Sequence, residues 1–276
     1  MNEFLGLDAL ITSALREDVG TGDITTLACV PDSAVSYGEF RAKAMGILAG
    51  AFILPRVFAL IDPSVDVKIL IQDGVAVKFG DVIAEIRGSS RAILTGERVA
   101  LNLLQRLSGI ATQTAKAVAS VGNYQTRIVD TRKTTPGLRE LEKYAVRMGG
   151  GANHRFGLSD GVLIKDNHIK AAGGIAPAVS AARRAAPHTL KIEVECETAE
   201  QVAEALEAKA DIIMLDNMTT EQMMAAVKQI AGRALIEASG NMAERDLSEV
   251  AATGVDFISI GGLTHSVTAL DISLKF

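Results

Sequence analysis

Short apolar runs alternate with helix-like segments through the second half of the chain, and this alternation constrains the fold more than any other feature. The apolar runs cover 127–130, 161–165, 191–195, 211–216, 234–239 and 257–261, and helix-like segments cover 171–186, 198–209, 220–231 and 243–253. Strands that alternate with helices build a parallel sheet with helical crossovers. The sequence therefore predicts an α/β domain whose sheet is open or closed into a barrel.

The first part of the chain has a different pattern. Residues 5–16 and 93–121 have apolar residues at helical spacing, whereas 35–87 contains short strand-like runs separated by glycines. Two of these runs flank Gly80 and Asp81 and resemble the hairpin of biotinyl and lipoyl carrier domains, without the lysine of the carrier motif. Residues 269–276 alternate apolar and polar side chains, which predicts an added edge strand.

Composition excludes several classes of function. The formal net charge is −5 and the chain has no tryptophan, which argues against a general nucleic-acid binder. Cys29 and Cys196 are the only cysteines and lie far apart, so a zinc site or a disulfide framework is not expected, and free thiols suit the reducing cytoplasm.

No membrane partner is expected either. The N-terminus has acidic residues and no basic lead-in, so it does not have the pattern of a secretory signal. The most apolar stretch, 44–61, is interrupted by Gly46, Gly50, Pro55 and Arg56, which leaves it too short to cross a bilayer.

Polar residues or glycines follow every one of the six apolar runs. They lie at 130–133, 165–167, 195, 216–217, 239–241 and 261–262. The carboxyl ends of parallel strands meet at one edge of the sheet, and in α/β barrels this edge carries the chemistry. We therefore expect these residues to line one rim.

The predicted rim is rich in cations, most of them between residues 130 and 169. The cations are Arg132, Lys133, Arg155 and Lys165, with Arg98 and His154 as further candidates. Arginine favours planar anions such as carboxylates, whereas lysine acts as a point charge on phosphates. In a chain of negative net charge, this concentration indicates a pocket for a small, highly anionic substrate.

Two carboxylates and several glycines complete the predicted rim. Glu195 and Asp216 lie among the cations, where they suit ribose hydroxyls, a Mg²⁺ ion or a developing oxocarbenium cation. Gly240, Gly261 and Gly262 let backbone N–H groups approach a phosphate, and His265 follows them. The set fits a phosphorylated sugar beside a carboxylated ring.

A structural explanation stays open for each residue taken singly. Surface ion pairs also cluster charge, and a lone helical arginine such as Arg98 is ordinarily solvated. His168 and His188 have straightforward structural interpretations, and the sequence contains no Gly-x-Ser-x-Gly nucleophile motif.

Motifs distributed in order along essentially the whole chain resemble those of the quinolinate phosphoribosyltransferase family. They lie at 17–23, 97–102, 108–112, 130–139 (DTRKTTPGLR), 142–146, 153–155, 158–160, 165–168 (KDNH), 215–217 and 237–240. The resemblance implies transfer of the phosphoribosyl group from 5-phosphoribosyl 1-diphosphate to quinolinate with Mg²⁺ and no organic cofactor. Its products are nicotinate mononucleotide, pyrophosphate and CO2, in de novo NAD biosynthesis.

The resemblance also implies an architecture. An N-terminal α/β sandwich of hammerhead-like geometry is expected at 1–107, with the strand at 266–276 joining it, and an incomplete α/β barrel is expected at 108–265. The family works as a homodimer, in some members as a hexamer, and the N-terminal domain of one subunit closes the barrel mouth of its neighbour.

Residue roles carried over from the resemblance agree with the pocket. Quinolinate is assigned to Arg98 from the neighbouring subunit and to Thr131, Arg132, His154, Arg155 and Lys165. The diphosphate and 5-phosphate are assigned to Lys133, Lys165, Ser239, Gly240, Asn241 and Gly261, and Gly262 and His265 extend this set. Glu195 and Asp216 are assigned to ribose hydroxyls and metal, and with Lys133 and Lys165 they form the expected catalytic group.

Two other kinds of function remain. One is a homologue of the same fold with a changed substrate, either associated with molybdenum transport or acting on nicotinate; the intact carboxylate clamp argues against both. The other is a non-catalytic binding protein for phosphorylated metabolites. Glu195 and Asp216 weigh against it, because acids weaken plain anion binding.

Overall fold

A computed structural model describes residues 4–276 and shows eleven α-helices and twelve strands. The helices are α1 (Leu7–Val19), α2 (Ile24–Cys29), α3 (Ile53–Ala59), α4 (Ser90–Val121), α5 (Arg139–Met148), α6 (Asp166–Ala172), α7 (Ile175–Ala185), α8 (Ala199–Glu207), α9 (Thr220–Ile230), α10 (Leu247–Ala252) and α11 (Gly262–His265). The strands are β1 (Val35–Ala42), β2 (Gly46–Ile47), β3 (Asp66–Ile69), β4 (Ala76–Val77), β5 (Val82–Ser89), β6 (Arg127–Val129), β7 (Val162–Ile164), β8 (Ile192–Cys196), β9 (Ile212–Asp216), β10 (Leu235–Ser239), β11 (Phe257–Ser259) and β12 (Ile272–Lys275).

The chain divides into two compact units. The first comprises Met1–Ala115, Thr135–Gly150 and Ser266–Phe276, and the second comprises Lys116–Thr134 and Gly151–His265. The boundary expected near residue 107 stays a prediction.

The first unit is built on a four-stranded antiparallel sheet in the order β12-β1-β5-β3. Phe40 and Ala42 of β1 and Ile83 and Ile86 of β5 are buried, and β12 lies at the edge of the sheet. Gln105 anchors the end of the chain. Its backbone O accepts from Leu270 N, and its side-chain Nε2 donates to Ile272 O.

The expected hairpin around Gly80 and Asp81 is wrong. β4 pairs with β2, and β5 pairs with β1 and β3, so the two runs do not pair with each other. The Asp81 carboxylate accepts from Lys78 N, and Gly80 N donates to Ala42 O, which directs the chain towards β1 rather than back along β4.

The second unit confirms the predicted parallel α/β sheet. Its six strands are parallel and lie in the order β6-β11-β10-β9-β8-β7, so β6 and β7 form the two edges. All six predicted apolar runs are strands. The predicted helix at 171–186 is two helices, because Gly173 and Gly174 have φ values of 82° and 141° and end α6.

The register of the sheet fixes which side chains share its inner face. Glu193 of β8 lies opposite Ile212 of β9, and Glu237 of β10 lies opposite Phe257 of β11. These four side chains line one cavity, so they point to the same side of the sheet. Because side chains alternate along a strand, Glu195, Asp216 and Ser239 share that side nearer the carboxyl ends.

Across residues 4–276, no helix combines the length and the apolar composition that a bilayer crossing requires.

Candidate active site

The carboxyl ends of the parallel strands bring the predicted rim residues to one edge of the second unit. Asp216 and Ser239 are the last residues of β9 and β10 and are paired in register, and Glu195 is the penultimate residue of β8. Lys165 follows β7 directly, and Gly261 follows β11 closely. This placement results from the parallel strand directions alone.

Lys165 and Glu195 form an ion pair on this rim. The Lys165 ammonium lies 2.9 Å from Glu195 Oε2, and the Lys165 side chain is 47% exposed while that of Glu195 is 12% exposed. The pair holds the carboxylate in place and leaves the ammonium accessible from solvent. The Lys165 ammonium is therefore open to an anionic ligand that reaches the rim.

A buried aspartate connects the two cationic segments. Asp130 is completely buried, and its carboxylate accepts hydrogen bonds from Asn153 Nδ2 at 2.6 Å and from His154 N at 2.9 Å. The segment that carries Arg132 and Lys133 is therefore tied to the segment that carries His154 and Arg155. Hydrogen bonds to a buried carboxylate are costly to break, so Asp130 fixes the two segments relative to each other.

The arginines of these two segments act on each other. Burial, followed by the positive charge of Arg132, lowers the pKa of Arg155. Arg155 is fixed by a hydrogen bond of 2.9 Å from Nη1 to Gly161 O. Two guanidinium groups close enough for one to lower the pKa of the other can converge on one planar anion.

Lys133 crosses the glycine that follows β11. A Cβ atom added at Gly261 would lie 2.9 Å from Lys133 Cδ and 3.3 Å from the His265 ring. The Thr264 hydroxyl donates to Lys133 O at 2.7 Å, which holds the backbone of the lysine against α11. Gly261, Lys133 and His265 are thus brought together, and a larger residue at Gly261 would displace the Lys133 side chain.

The turn after β10 also depends on a close approach. Gly240 has φ of +93°, and a Cβ atom there would lie 2.2 Å from Asn217 Oδ1. Asn217 Nδ2 in turn donates to Asp216 Oδ2 at 2.6 Å. A cavity beside this contact is lined by Asn217, Met218, Thr219, Thr220, Glu221, Gly240, Asn241 and Arg245.

Sequence reasoning missed one cluster. His154 Nε2 lies 3.1 Å from Glu193 Oε2 and 3.5 Å from Glu237 Oε2, and both carboxyl groups are almost completely buried. Burial, then the charge of Glu193, raises the pKa of Glu237 to about 8. Glu193 and Glu237 were not among the expected site residues, although 237–240 belonged to a family motif.

The protonation of His154 decides what this cluster can bind. Arg155 N donates to His154 Nδ1 at 2.7 Å, so Nδ1 carries no proton and the neutral ring is protonated on Nε2. His154, Glu193 and Glu237 bring ligand-type atoms within 4.8 Å of one another. A metal on Nε2 would require an imidazolate, so the cluster fits a shared proton better than a metal.

The remaining predicted residues occupy the following positions. Arg98 is an exposed residue of α4 in the first unit, and its role across a subunit interface stays a prediction. Thr131 Oγ1 accepts from Lys133 N at 3.1 Å, which orders the turn after β6. Asn241 has φ of 48° and begins a short 3-10 turn, and Gly262 is the first residue of α11.

Comparison with known proteins places the chain among pyridine-nucleotide enzymes. The family models described as the C-terminal and N-terminal domains of quinolinate phosphoribosyl transferase match residues 110–275 and 23–108. The chain is 50% identical over 270 residues to the probable nicotinate-nucleotide pyrophosphorylase (carboxylating) of Bacillus subtilis, covering 98% of this chain and 93% of that protein. It is 47% identical over 274 residues to the corresponding probable enzyme of Synechocystis, covering 98% and 92%.

Solved structures give the same result. NadC from Streptococcus pyogenes superposes with a TM-score of 0.93 at 44% identity, covering 100% of this chain and 98% of that one. The nicotinate-nucleotide pyrophosphorylase from Francisella tularensis superposes with a TM-score of 0.93 at 40% identity, covering 98% and 95%. The expected fold class is therefore confirmed.

Proposed function

The chain belongs to the quinolinate phosphoribosyl transferase family, and we propose on that basis that it transfers the phosphoribosyl group of 5-phosphoribosyl 1-diphosphate to quinolinate. The transfer is followed by loss of CO2, which gives nicotinate mononucleotide and pyrophosphate in de novo NAD biosynthesis. The enzyme is a decarboxylating pentosyltransferase.

The observation that carries this proposal is the arrangement of two kinds of cation on one rim. Arg132 and Arg155, which are tied together through Asp130, supply planar donors for carboxylates. Lys133 lies across Gly261, and Lys165 is exposed beside Glu195, where both are point charges for phosphate groups. A dicarboxylated ring requires the arginines, and a phosphorylated sugar requires the lysines.

The chemistry follows from this placement. The arginines hold the quinolinate carboxylates so that the ring nitrogen faces C1 of the ribose, which makes the attack effectively intramolecular. Lys133 and Lys165 stabilise the charge that develops on the departing pyrophosphate. The positive charge of the pyridinium nitrogen formed in this step stabilises the electron pair left on the adjacent ring carbon when the carboxylate leaves as CO2, so no organic cofactor is needed.

Glu195 and Asp216 have the right chemistry for Mg²⁺. Both present carboxylate oxygens from adjacent strand ends, and Mg²⁺ is ordinarily bound by one or two carboxylates together with substrate phosphates. When bound, the ion neutralises negative charge on the diphosphate. The same two acids are placed to accept hydrogen bonds from ribose hydroxyls.

The remaining phosphate ligands come from the turns after β10 and β11. Ser239, Gly240, Asn241, Gly261 and Gly262 supply backbone N–H groups to the 5-phosphate, with His265 at its edge. Thr131 and His154 join the arginines around quinolinate. To take this role, the His154 ring must leave the carboxyl groups of Glu193 and Glu237 and contact a carboxylate of the substrate instead.

The proposal includes a homodimer, and a hexamer would repeat the same dimer contact. The first unit exposes large apolar side chains, including Ile24 at 80% and Leu27 at 57%. Leu94 is also exposed and lies one helical turn from Arg98 on α4, so a partner that covers this face also receives the arginine. The N-terminal sandwich at 1–107 with 266–276 would then serve the neighbour's barrel at 108–265.

The cytoplasm is the proposed compartment. Cys29 is exposed and Cys196 is buried, and both are free thiols. Free exposed thiols persist in a reducing compartment, and the proposed metabolites are small and soluble.

Quinolinate binding to Arg132→Ala tests the clamp. Removing one of two convergent guanidinium groups should weaken binding measured by calorimetry by about 10²-fold or more, since hydrogen bonds to charged groups contribute about 1.5–3 kcal/mol each. Arg184→Ala is the control, because Arg184 is an exposed arginine of α7 that bonds only locally to Ser180 Oγ. If Arg132→Ala bound quinolinate with unchanged affinity, Arg132 would not be part of a carboxylate clamp.

The same titration separates the changed-substrate alternative. Nicotinate has one carboxylate and engages half of the proposed clamp, so quinolinate should bind far more tightly. Equal affinity for the two acids would favour a nicotinate-using homologue.

A further inference from the structure

A cavity of about 340 Å³ lies at the amino-terminal end of the parallel sheet. Its wall includes the first residues of three strands, Val162 of β7, Ile212 of β9 and Phe257 of β11, together with Lys191 just before β8. Because all six strands are parallel, this end is opposite the strand ends that carry Lys165, Glu195 and Asp216. The cavity also reaches the proposed quinolinate site, because Arg155, one of the proposed quinolinate ligands, lines it.

The inner wall of the cavity is the acidic cluster. His154, Glu193 and Glu237 all line it, and the exposed residues Thr189 and Lys191 line its outer part. Water entering between these exposed residues can reach the carboxyl groups without passing the rim. His154, a proposed quinolinate ligand, lies 3.5 Å from Glu237 Oε2, so the two buried acids lie between solvent and the proposed reaction site.

The burial of two acids at this position is not explained by stability. Glu193 and Glu237 are each 3% exposed, and Oε1 of each has no hydrogen-bond partner among the described residues. Buried carboxyl groups without full hydrogen bonding cost free energy that apolar side chains of similar size would not. A function for the cluster accounts for this cost.

Glu237 is the member suited to carry a proton. It is the central residue of β10 and lies on the inner face two residues before Ser239, which the proposed function places at the 5-phosphate. Its neighbour Glu193 cannot share the site without one of the two carboxyl groups holding a proton. The raised pKa of Glu237, caused first by burial, places that proton on Glu237 at neutral pH.

The proposed reaction needs such a proton. When the 2-carboxylate of the phosphoribosylated ring leaves as CO2, the electron pair of the broken C–C bond stays on ring carbon C2. A proton must then replace the carboxylate. Arginine is too weak an acid to supply it, and the proposed function engages Lys133 and Lys165 with phosphate groups.

We infer that Glu237 is the acid that protonates the ring carbon from which CO2 departs, and that the amino-terminal cavity supplies the water that restores its proton. Proton transfer accompanies the loss of CO2: the O–H bond of Glu237 and the C–C bond to the carboxylate break as the new C–H bond forms at C2, and Glu237 is left as a carboxylate. Water in the cavity then returns a proton to it. The inference rests on the proposed function and adds a catalytic residue to it.

The test separates the two chemical steps in a single turnover. Pyrophosphate reports the transfer step, and CO2 released from quinolinate labelled in the 2-carboxylate reports the second step. Glu237→Gln keeps the size of the side chain but has no transferable carboxylic proton. It should slow CO2 release by about 10²-fold or more, the usual contribution of a positioned acid, while pyrophosphate formation changes much less and phosphoribosylated quinolinate accumulates.

Controls distinguish proton donation from packing. Glu207→Gln makes the same substitution at an exposed position of α8 and should leave both steps unchanged. Glu237→Asp retains the acid and should restore part of the CO2 release. If Glu237→Gln slows both steps equally, or neither, the inference is overturned and the cluster is structural.

If Glu237→Gln does not fold, the pH dependence of CO2 release by the unmodified protein tests the inference independently. The groups that face Glu237 are Glu193 from β8, His154 from the preceding loop and the Ser259 hydroxyl from β11. CO2 release should fall as the pH rises through about 8, because the protonated acid is lost. A rate that stays flat across this pKa would overturn the inference, whereas failure to form pyrophosphate at all would instead contradict the proposed function.

Discussion

Gly240→Ala should destabilise the turn after β10 and impair the proposed site. Gly240 follows β10 with φ of +93°, a conformation that alanine adopts only with strain. The new Cβ would also lie 2.2 Å from Asn217 Oδ1 and 2.7 Å from Asn217 N. Real Cβ atoms do not approach other atoms this closely, so the turn must move.

The expected loss of stability has two parts. The left-handed backbone costs about 1–2 kcal/mol for a residue with a side chain. Crowding in a packed site adds about 1–3 kcal/mol, and the backbone of Asn217 cannot retreat easily, because Asn217 N donates to Ser239 O at 3.1 Å. The sum predicts that the free energy of unfolding falls by about 2–5 kcal/mol.

A matched glycine isolates the second part. Gly173 lies in the same unit with φ of +82°, and a Cβ atom there meets nothing within 4 Å. Gly173→Ala should therefore cost only the backbone contribution of about 1–2 kcal/mol. The difference between the two variants measures the contact with Asn217.

Urea denaturation followed by circular dichroism is the suitable assay, since the chain has no tryptophan to report by fluorescence. Gly240→Ala should also lower kcat/KM, because displacing Asn217 breaks its hydrogen bond of 2.6 Å to Asp216 Oδ2. Equal loss of stability in the two glycine variants would show that the close approach at Gly240 is not a real constraint.

Further predictions concern buried groups elsewhere in the chain. Arg106 donates to the buried Glu142 carboxylate at 2.6 Å, so Arg106→Met should leave that charge unpaired and lower the free energy of unfolding by about 3–5 kcal/mol in urea denaturation. Burial raises the pKa of Cys196 to about 12, so native protein treated with iodoacetamide near neutral pH should gain one adduct, on the exposed Cys29, by mass spectrometry. Because the native pKa of Glu237 is raised to about 8 from 4.5, the folded chain binds the extra proton between these values. The contribution of Glu237 to stability should therefore be greatest below this range and fall as the pH rises through it, by at most about 1.4 kcal/mol per pH unit, and Glu237→Gln should remove that fall in thermal unfolding scans.

Much of the fold was predictable, because it depends on patterns that the sequence displays directly. Each of the six apolar runs is a strand of the parallel sheet, and the polar residues that follow them meet at one edge. The strand partners of β4 and β5 were not predictable. A Gly-Asp turn sets a change of chain direction but does not determine which strands lie beside the following strand. The arrangement of subunits is likewise outside the reach of such patterns and stays a proposal.

The acidic cluster shows where reading the site from sequence fails. Glu193 and Glu237 alternate with apolar neighbours within their strands, as solvent-facing residues of a strand also do. Only the register of the parallel sheet reveals that this face is the enclosed one. The signal that was available was the presence of acids inside otherwise apolar runs that were predicted to be central strands, where burial covers both faces.

The activity itself is tested most directly by incubating the purified protein with quinolinate, 5-phosphoribosyl 1-diphosphate and Mg²⁺ and following nicotinate mononucleotide and CO2 together. The account predicts that both form in equal amounts, and that a chelator or Lys133→Ala abolishes them. Well-folded protein that forms neither product would contradict the assignment of quinolinate as the substrate, while leaving the fold and the cationic rim as described.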